Sequence, residues 1–515
     1  MPSTRIFAAV ATAVLLASVA PGTASAQKHS AKDATVTNPD DGTEIAITIF
    51  KPAGASAGSQ APVVLHSHGW SGSRTTEIDD TIEAFLDAGL AVVSFDQRGH
   101  GESGGQANVQ DPTMETEDVK AVIDYIAKLD WVAHDTDSSG DPIADDPVLG
   151  AIGGSYGGGF QTMTTLDEID DEGRTRFNAL APEITWYDLP ESLAPQAVVR
   201  SAWNVLLYAV GAPMVPQYIH ESFAWGSASG QWPDGTLYGE KVDGIPDIDS
   251  VFTRHSPIWY AERGMKIDVP VLIREGISDN LFNLNQGLHI LDWAVTAKAR
   301  SQSFLVGYNG GHVLPNALPP SAPADGDACS PKGNFTKLTI EFFTRVFSEK
   351  TTAGLLPARY NLTTSDAGRC LSTNNLGDYK TISVDPLGYG TTVATAGLGA
   401  PIHIPIADGP LTVAGIPMLK GRMTSGAVDA RTFFGLSMGT SPADAVVIQN
   451  NLMPLRSVLA AQDEKFEIEL PGVAVDVPKD QTLFLTVSAV SDMFYGSRAP
   501  GGFILSDLKL RLPRG

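Results

Sequence analysis

The chain has 515 residues, with 59 acidic side chains against 35 Lys and Arg and a formal net charge of −24. Hydrophobic residues make up 43% and charged residues 18%, which excludes a disordered chain and is ample for large buried cores. The acidity argues against a binder of phosphate backbones and against adsorption to anionic lipid, since both need dense Lys and Arg. At roughly 100–200 residues per domain, two or three domains are expected, and a soluble, acidic, multidomain protein of this kind is usually an enzyme.

The first residues read as an address. Arg5 is followed by an apolar run from Ile6 to Ala20, then by Pro21, Gly22 and the cleavage pattern Ala24-Ser25-Ala26. This is the layout of a secretory signal peptide, too short to span a bilayer, and it predicts a secreted chain. In an oxidising compartment Cys329 and Cys370, which are the whole set of Cys, are expected to pair.

From about 43 to 165, short apolar strands alternate with helices. Strands are predicted at Thr43 to Phe50, Pro62 to His66, Ala91 to Phe95 and Val148 to Gly153, and helices at Ile78 to Ala88 and Val119 to Ala127. The alternation implies parallel strands with crossover helices. Residues 135 to 146 read as an exposed acidic loop. Between about 188 and 265 strand alternation is lost, which predicts an inserted, mostly helical cap. Its aromatics, with Trp186 and Tyr187 just before it, are candidates either for a pocket lining or for the cap's own core. Val271 to Glu275 and Ser303 to Tyr308 read as later strands of the same sheet, and Phe335 to Phe347 as its closing helix. After about 355 short β-rich segments recur between Gly, Pro and Asp clusters, as in a β-sandwich.

The strongest chemical signal is Gly153-Gly154-Ser155-Tyr156-Gly157, a G-x-S-x-G turn after a strand and before a helix. Such a turn lifts a Ser hydroxyl above the sheet. The hydroxyl needs a base, and the base needs an orienting carboxylate, in the chain order Ser, acid, His. His289, His312 and His403 follow a plausible acid. His312 sits on a Gly310-Gly311 turn after a strand, whereas His289 lies in a helical stretch and His403 in the β-rich tail. Asp279, after the strand ending near Gly276, is the expected acid, with Glu275 as its competitor. The oxyanion donors are expected to be the backbone N–H groups of Tyr156 and of Trp70, in the loop after Val63 to Leu65. A metal at His66 and His68 finds no supporting carboxylate pattern. Asp135-x-Asp137-x-Ser139-Gly140-Asp141, with Asp146 twelfth, echoes a calcium loop, against which stands the plain reading of a solvated acidic loop.

Gly153 to Gly158, Phe95 to Ser103, Gly276 to Phe282 and Gly310 to His312 together resemble α/β-hydrolases, and more closely the X-Pro dipeptidyl-peptidase and cocaine esterase family. The resemblance implies an α/β-hydrolase fold with a helical cap and a C-terminal jelly-roll-like β-sandwich. It divides the chain into a leader (1–26), a hydrolase domain (27–354, cap about 188–265) and a sandwich (355–515). It carries the roles of nucleophile, acid and base to Ser155, Asp279 and His312. Cocaine esterase-like members use a Tyr hydroxyl as an oxyanion donor where this sequence has Trp70. Asp96, Arg98 and Glu102 read as support for the active-site face. The implied activity is hydrolysis of an ester or amide through an acyl-enzyme, dipeptidyl-peptidase-like or alternatively as a carboxylesterase. No cofactor and no nucleic acid are expected. Removal of X-Pro dipeptides requires an acid for the free amino end, for which Glu183, Asp188 and Glu191 are candidates. The competing reading is a catalytically idle binder of a polymer or glycan.

Overall fold

The computed structural model describes residues 28–322, 325–384, 391–394, 400–497 and 502–515. The expected leader, 1–26, lies outside them.

The chain begins with strands β1 (Ser30–Thr37), β2 (Glu44–Lys51) and β3 (Val63–Ser67), helix α1 (Asp80–Asp87), β4 (Ala91–Phe95) and α2 (Glu115–Ala127). A hairpin, β5 (His134–Thr136) and β6 (Pro142–Pro147), leads into β7 (Leu149–Gly154), α3 (Tyr156–Glu172) and β8 (Ala179–Glu183). Next come α4 (Leu189–Leu193), α5 (Ser201–Gly211), α6 (Gln217–Ser229), the two-residue strands β9 (Thr236–Leu237) and β10 (Glu240–Lys241), α7 (Ile248–Arg254) and α8 (Pro257–Glu262). The chain then returns through β11 (Leu272–Gly276), α9 (Leu284–His289), α10 (Ala297–Arg300), β12 (Phe304–Tyr308), β13 (Ser321–Ala322) and α11 (Phe335–Phe347) to β14 (Tyr360–Thr363) and β15 (Cys370–Thr373).

Ten strands form one sheet in the order β1-β2-β4-β3-β7-β8-β11-β12-β14-β15. The run from β4 to β14 is parallel, and β1, β2 and β15 are antiparallel at the two edges. Side chains alternate across a strand, so each central strand feeds two cores. Val63, Leu65, Val93 and Phe95 pack with Val122, Ile126 and Phe160 from α2 and α3. Val64 and Val92, one residue out of phase, pack with Phe85 and Phe342 from α1 and α11. That two-sided burial is why these strands read as unbroken apolar runs.

The first strands after residue 355 differ from expectation. β14 and β15 complete the first sheet, with Leu305 opposite Tyr360 and Leu362 opposite Leu371. Cys370, at the start of β15, is disulfide-bonded to Cys329, so the bridge staples that edge to the loop before α11. A loop of about 40 residues closed in this way stabilises by roughly 3–4 kcal/mol in the chain-entropy account.

Two antiparallel sheets follow. One joins strands 402–408, 482–488, 430–439, 446–448 and 453–457, and the other joins 379–384, 391–394, 502–513, 418–425 and 461–469. Phe434 and Leu485 of the first share a core with Leu419, Phe466 and Leu510 of the second. β13, although it precedes α11, pairs with strand 446–448 and so belongs to this second region. Among the described residues no helix is long and apolar enough to cross a membrane.

Candidate active site

Parallel strands end together, and the loops after β3, β7, β11 and β12 converge at one edge of the sheet. Ser155 sits between β7 and α3 with φ 56° and ψ −118°, a conformation that costs a non-glycine residue strain. Backbone bonds hold it there: the Ser155 N–H donates to Glu183 O at 2.9 Å, and Ser155 O accepts from Gly158 N at 2.9 Å. Two positions to either side the chain must be glycine, because a Cβ on Gly157 would lie 2.4 Å from Ser67 O and one on Gly153 2.5 Å from Gly157 O.

Asp279 follows β11 and is fully buried. Its Oδ1 accepts the backbone N–H groups of Leu281 (2.8 Å) and Phe282 (2.7 Å). Its Oδ2 accepts the backbone N–H of His312 (2.8 Å) and meets His312 Nδ1 at 2.7 Å. A carboxylate so placed keeps the proton on Nδ1 and leaves the Nε2 lone pair free. The glycines near His312 serve close approach: a Cβ on Gly311 would lie 2.6 Å from Asp279 Oδ2, and one on Gly276 2.4 Å from Gly310 O. The competing acid, Glu275, ends in β11 against α9, where its Oε2 has no hydrogen-bond partner. Burial, and then the nearby Asp279 charge, push its pKa well up, which disfavours the charged form that an orienting acid must carry.

The imidazole of His312 is flanked edge-on by Trp203 (5.8 Å) and Phe282 (5.3 Å). Phe282 also forms the wall of a cavity of about 150 Å³ lined by Ser155, Tyr156, Trp70 and Trp186. Phe282 thus stands between the His312 imidazole and the cavity that Ser155 lines. The second region of the chain reaches in as well: Asn451 Nδ2 donates to the backbone O of Asp279 at 2.7 Å.

The loop carrying Trp70 runs beside the nucleophile, since a Cβ on Gly69 would lie 3.8 Å from Ser155 Cβ. The backbone N–H groups of Trp70 and Tyr156 have no hydrogen-bond acceptor among the described residues. The Trp70 indole N–H donates to Leu207 O on α5 at 3.0 Å, pinning the helical segment to this loop. Gly211 makes that approach possible, because a Cβ there would meet the indole at 2.5 Å. His68 steadies the loop from below. Its Nδ1–H donates to Gly69 O (2.8 Å), its Nε2 accepts Gln97 N–H (3.1 Å), and burial lowers its pKa, all of which fit a neutral ring.

The two predicted substrate contacts part company. Trp186 lines the cavity, with its indole N–H held by His255 O at 2.9 Å. Tyr187 does not. Its ring faces away, edge-on to His289 and Trp293 at 5.7 Å each. Sequence reasoning missed Leu281 and Phe282 as cavity walls and Asn451 as a support; Phe282 stood inside the Gly276 to Phe282 motif that carries Asp279.

The possible metal positions are otherwise engaged. The acidic loop is the β5–β6 hairpin, where Asp135 bonds Asn178 (2.6 Å), Asp146 bonds Arg174 (2.6 Å) and Asp137 accepts Ser139 N–H (2.7 Å). His66 Nδ1 lies on Ser94 Oγ (2.9 Å), apart from the bonds of His68. Carboxylates of Glu117, Asp167 and Asp171 do converge, but the Lys120 ammonium stands among them at 2.7–2.9 Å. Asp96 and Glu102 pair with Arg74, and Arg98 pairs with Asp41 and Asp118 (2.7 Å); Arg74, Arg98, Asp96 and Asp118 are buried, while Asp41 and Glu102 close the two pairs at the surface.

Solved structures share this fold over nearly the whole chain. A CocE/NonD family hydrolase from Staphylococcus aureus is 15% identical with a TM-score of 0.66, covering 94% of this chain and 93% of its own. An α-amino acid ester hydrolase is 12% identical with a TM-score of 0.65, covering 98% and 100%. An aminopeptidase from a marine sediment Thaumarchaeota archaeon is 13% identical with a TM-score of 0.65, covering 98% and 99%. An uncharacterised 31.7 kDa protein of the traX–finO intergenic region of Escherichia coli is 33% identical over 115 residues, 22% of this chain. That match covers 35% of the relative, so the chain spans about a third of its length. A family model described as X-Pro dipeptidyl-peptidase (S15 family) matches residues 41–313, which include Ser155, Asp279 and His312. On that match the chain belongs to the X-Pro dipeptidyl-peptidase (S15) family.

Proposed function

We propose that the protein is a serine hydrolase that cleaves an ester or amide through an acyl-enzyme on Ser155. The observation that carries this reading is the fixed imidazole: His312 Nδ1 on Asp279 Oδ2 at 2.7 Å, beside the cavity that Ser155 lines. In this mechanism His312 Nε2 takes the Ser155 proton as Oγ attacks the carbonyl carbon. The oxyanion forms against the backbone N–H groups of Tyr156 and Trp70, which have no other acceptor to give up. Trp70 contributes its backbone alone, because its indole N–H is committed to Leu207 O. The protonated imidazole then gives its proton to the leaving group, and water repeats the sequence to release the acid.

We further propose residues 1–26 as a secretory leader and the hydrolase half, its helical cap and the C-terminal β region as the working divisions of the chain. The Cys329–Cys370 disulfide supports an oxidising compartment.

The test is active-site labelling. A fluorophosphonate probe should label the protein stoichiometrically and should fail to label Ser155→Ala. Labelling that survives in Ser155→Ala refutes the assignment. Failure of the wild type to label favours the idle binding protein.

A further inference from the structure

Release of a dipeptide from a free amino end places an ammonium group in the site, and an ammonium taken out of water needs a carboxylate partner. Three acids near the cap are placed to serve by sequence alone, and each is engaged elsewhere. Glu183 lies against Arg274 at 3.1 Å. Asp188 caps α4 by accepting the Glu191 N–H at 3.1 Å. Glu191 lines a separate small pocket with Arg200, His289 and Glu469, behind the cavity and divided from it by Leu281.

The cavity itself holds no Asp, Glu, Lys, Arg or His among the described residues that line it. Its walls are Trp, Leu, Val, Ile and Phe side chains, with a few neutral hydroxyls and amides. Asp279 cannot substitute as a counter-ion, since it is fully buried and already accepts four bonds. Asp249 touches the lining Trp232 through the indole N–H at 2.6 Å but lies behind that ring. A buried cation points the same way: Arg200, flanked in sequence by the lining residues Val199 and Ser201, is 1% exposed and would repel a second positive charge. The apolar wall also continues outward, because Val205 lines the cavity and is 49% exposed.

We infer that the substrate group held in this cavity is uncharged and apolar, so that the enzyme takes esters or amides of neutral acyl groups and rejects those bearing a free α-amine. The inference rests on the serine hydrolase reading and deepens it. A cavity of about 150 Å³ has room for a group on the scale of a benzene ring. A branched six-carbon acyl chain is a fitting probe.

The experiment uses the wild-type protein and two esters that differ only in the α-amine: p-nitrophenyl 4-methylpentanoate and leucine p-nitrophenyl ester, assayed at pH 6.5 with Ala-Pro-p-nitroanilide in parallel. The expected result is a kcat/KM at least tenfold higher for the uncharged ester and no p-nitroaniline release. A ratio below tenfold, or release from the X-Pro substrate, overturns the inference. Fluorophosphonate labelling separates the two levels of failure. A protein that labels but hydrolyses neither ester refutes the substrate class alone; one that does not label refutes the hydrolase reading beneath it.

Discussion

Two cavities meet at Leu281 and are built from opposite materials. The larger one, where Ser155 opens, is walled by uncharged and mostly apolar side chains. The smaller one gathers Glu191, Arg200, His289 and Glu469. Leu281 belongs to both, and its N–H helps to hold Asp279. The difference teaches where charge is tolerated in this molecule. In the smaller pocket His289 lies 3.2 Å from Glu469, and Arg200 donates to the backbone O of Ser192 and of Asn280. The Arg200 charge in the small pocket has backbone partners, whereas the large cavity offers a charge no charged side chain among the described residues that line it.

The comparison can be broken or sharpened by substitution. The largest effect is expected from Asp279→Asn, which leaves both cavities intact but no longer holds the His312 tautomer; kcat should fall by about 10⁴-fold. A loss of less than tenfold in steady-state assays would show that the acid is not Asp279. Next is Ser201→Asp, which moves the character of one cavity toward the other. Ser201 lines the large cavity at the first turn of α5, where a carboxylate is favoured by the helix dipole. The variant should raise the kcat/KM of the leucine ester relative to its amine-free counterpart by roughly tenfold, the scale of a modest new ion pair. An unchanged ratio would place Ser201 outside the substrate's reach.

The smallest effect concerns Glu191 and is read in stability. Burial, with Asp188 adding to it, pushes its pKa up from 4.5 to about 8. The folded state therefore binds a proton that the unfolded state has released, and stability is lost as pH rises from about 4.5 to 8. Glu191→Gln should melt a few degrees above the wild type at pH 9, and the difference should vanish by pH 4.5. Parallel melting curves across that range would mean that Glu191 is solvated. Glu115, also pushed up to about 8, changes with pH in the same sense in both proteins and cancels in the difference.

The residues proposed to react were legible because each rides on a short motif whose spacing is set by local geometry. Gly153 to Gly158 encodes a turn that admits no Cβ at Gly153, Gly157 or Gly158, and Gly310 to His312 encodes a close approach to Asp279. The cavity was less legible, because which way a side chain faces is decided by distant packing. Trp186 and Tyr187 are neighbours in sequence and end on opposite sides of the segment. Strand β8 (Ala179–Glu183) gave no signal, since Pro182 lies inside it, a residue that argues against a central strand. β1 was silent for a different reason: most of its side chains are exposed at the sheet edge, so no apolar pattern marks it. β14 and β15 were assigned to the wrong sheet because short β-rich segments carry no label for their partner.

The tether of the His312 loop has a consequence for how the chain can be divided. The family match stops at residue 313, one position past His312. Yet the loop continues into β13, which pairs with strand 446–448. Asn450 also bonds Leu314 O, and Asn451 bonds Asp279 O. A fragment trimmed to the matched segment would retain every reacting side chain and lose the struts that aim two of them. The C-terminal half thus braces the loops that carry Asp279 and His312, and moving the proposed site to another scaffold means moving both halves together.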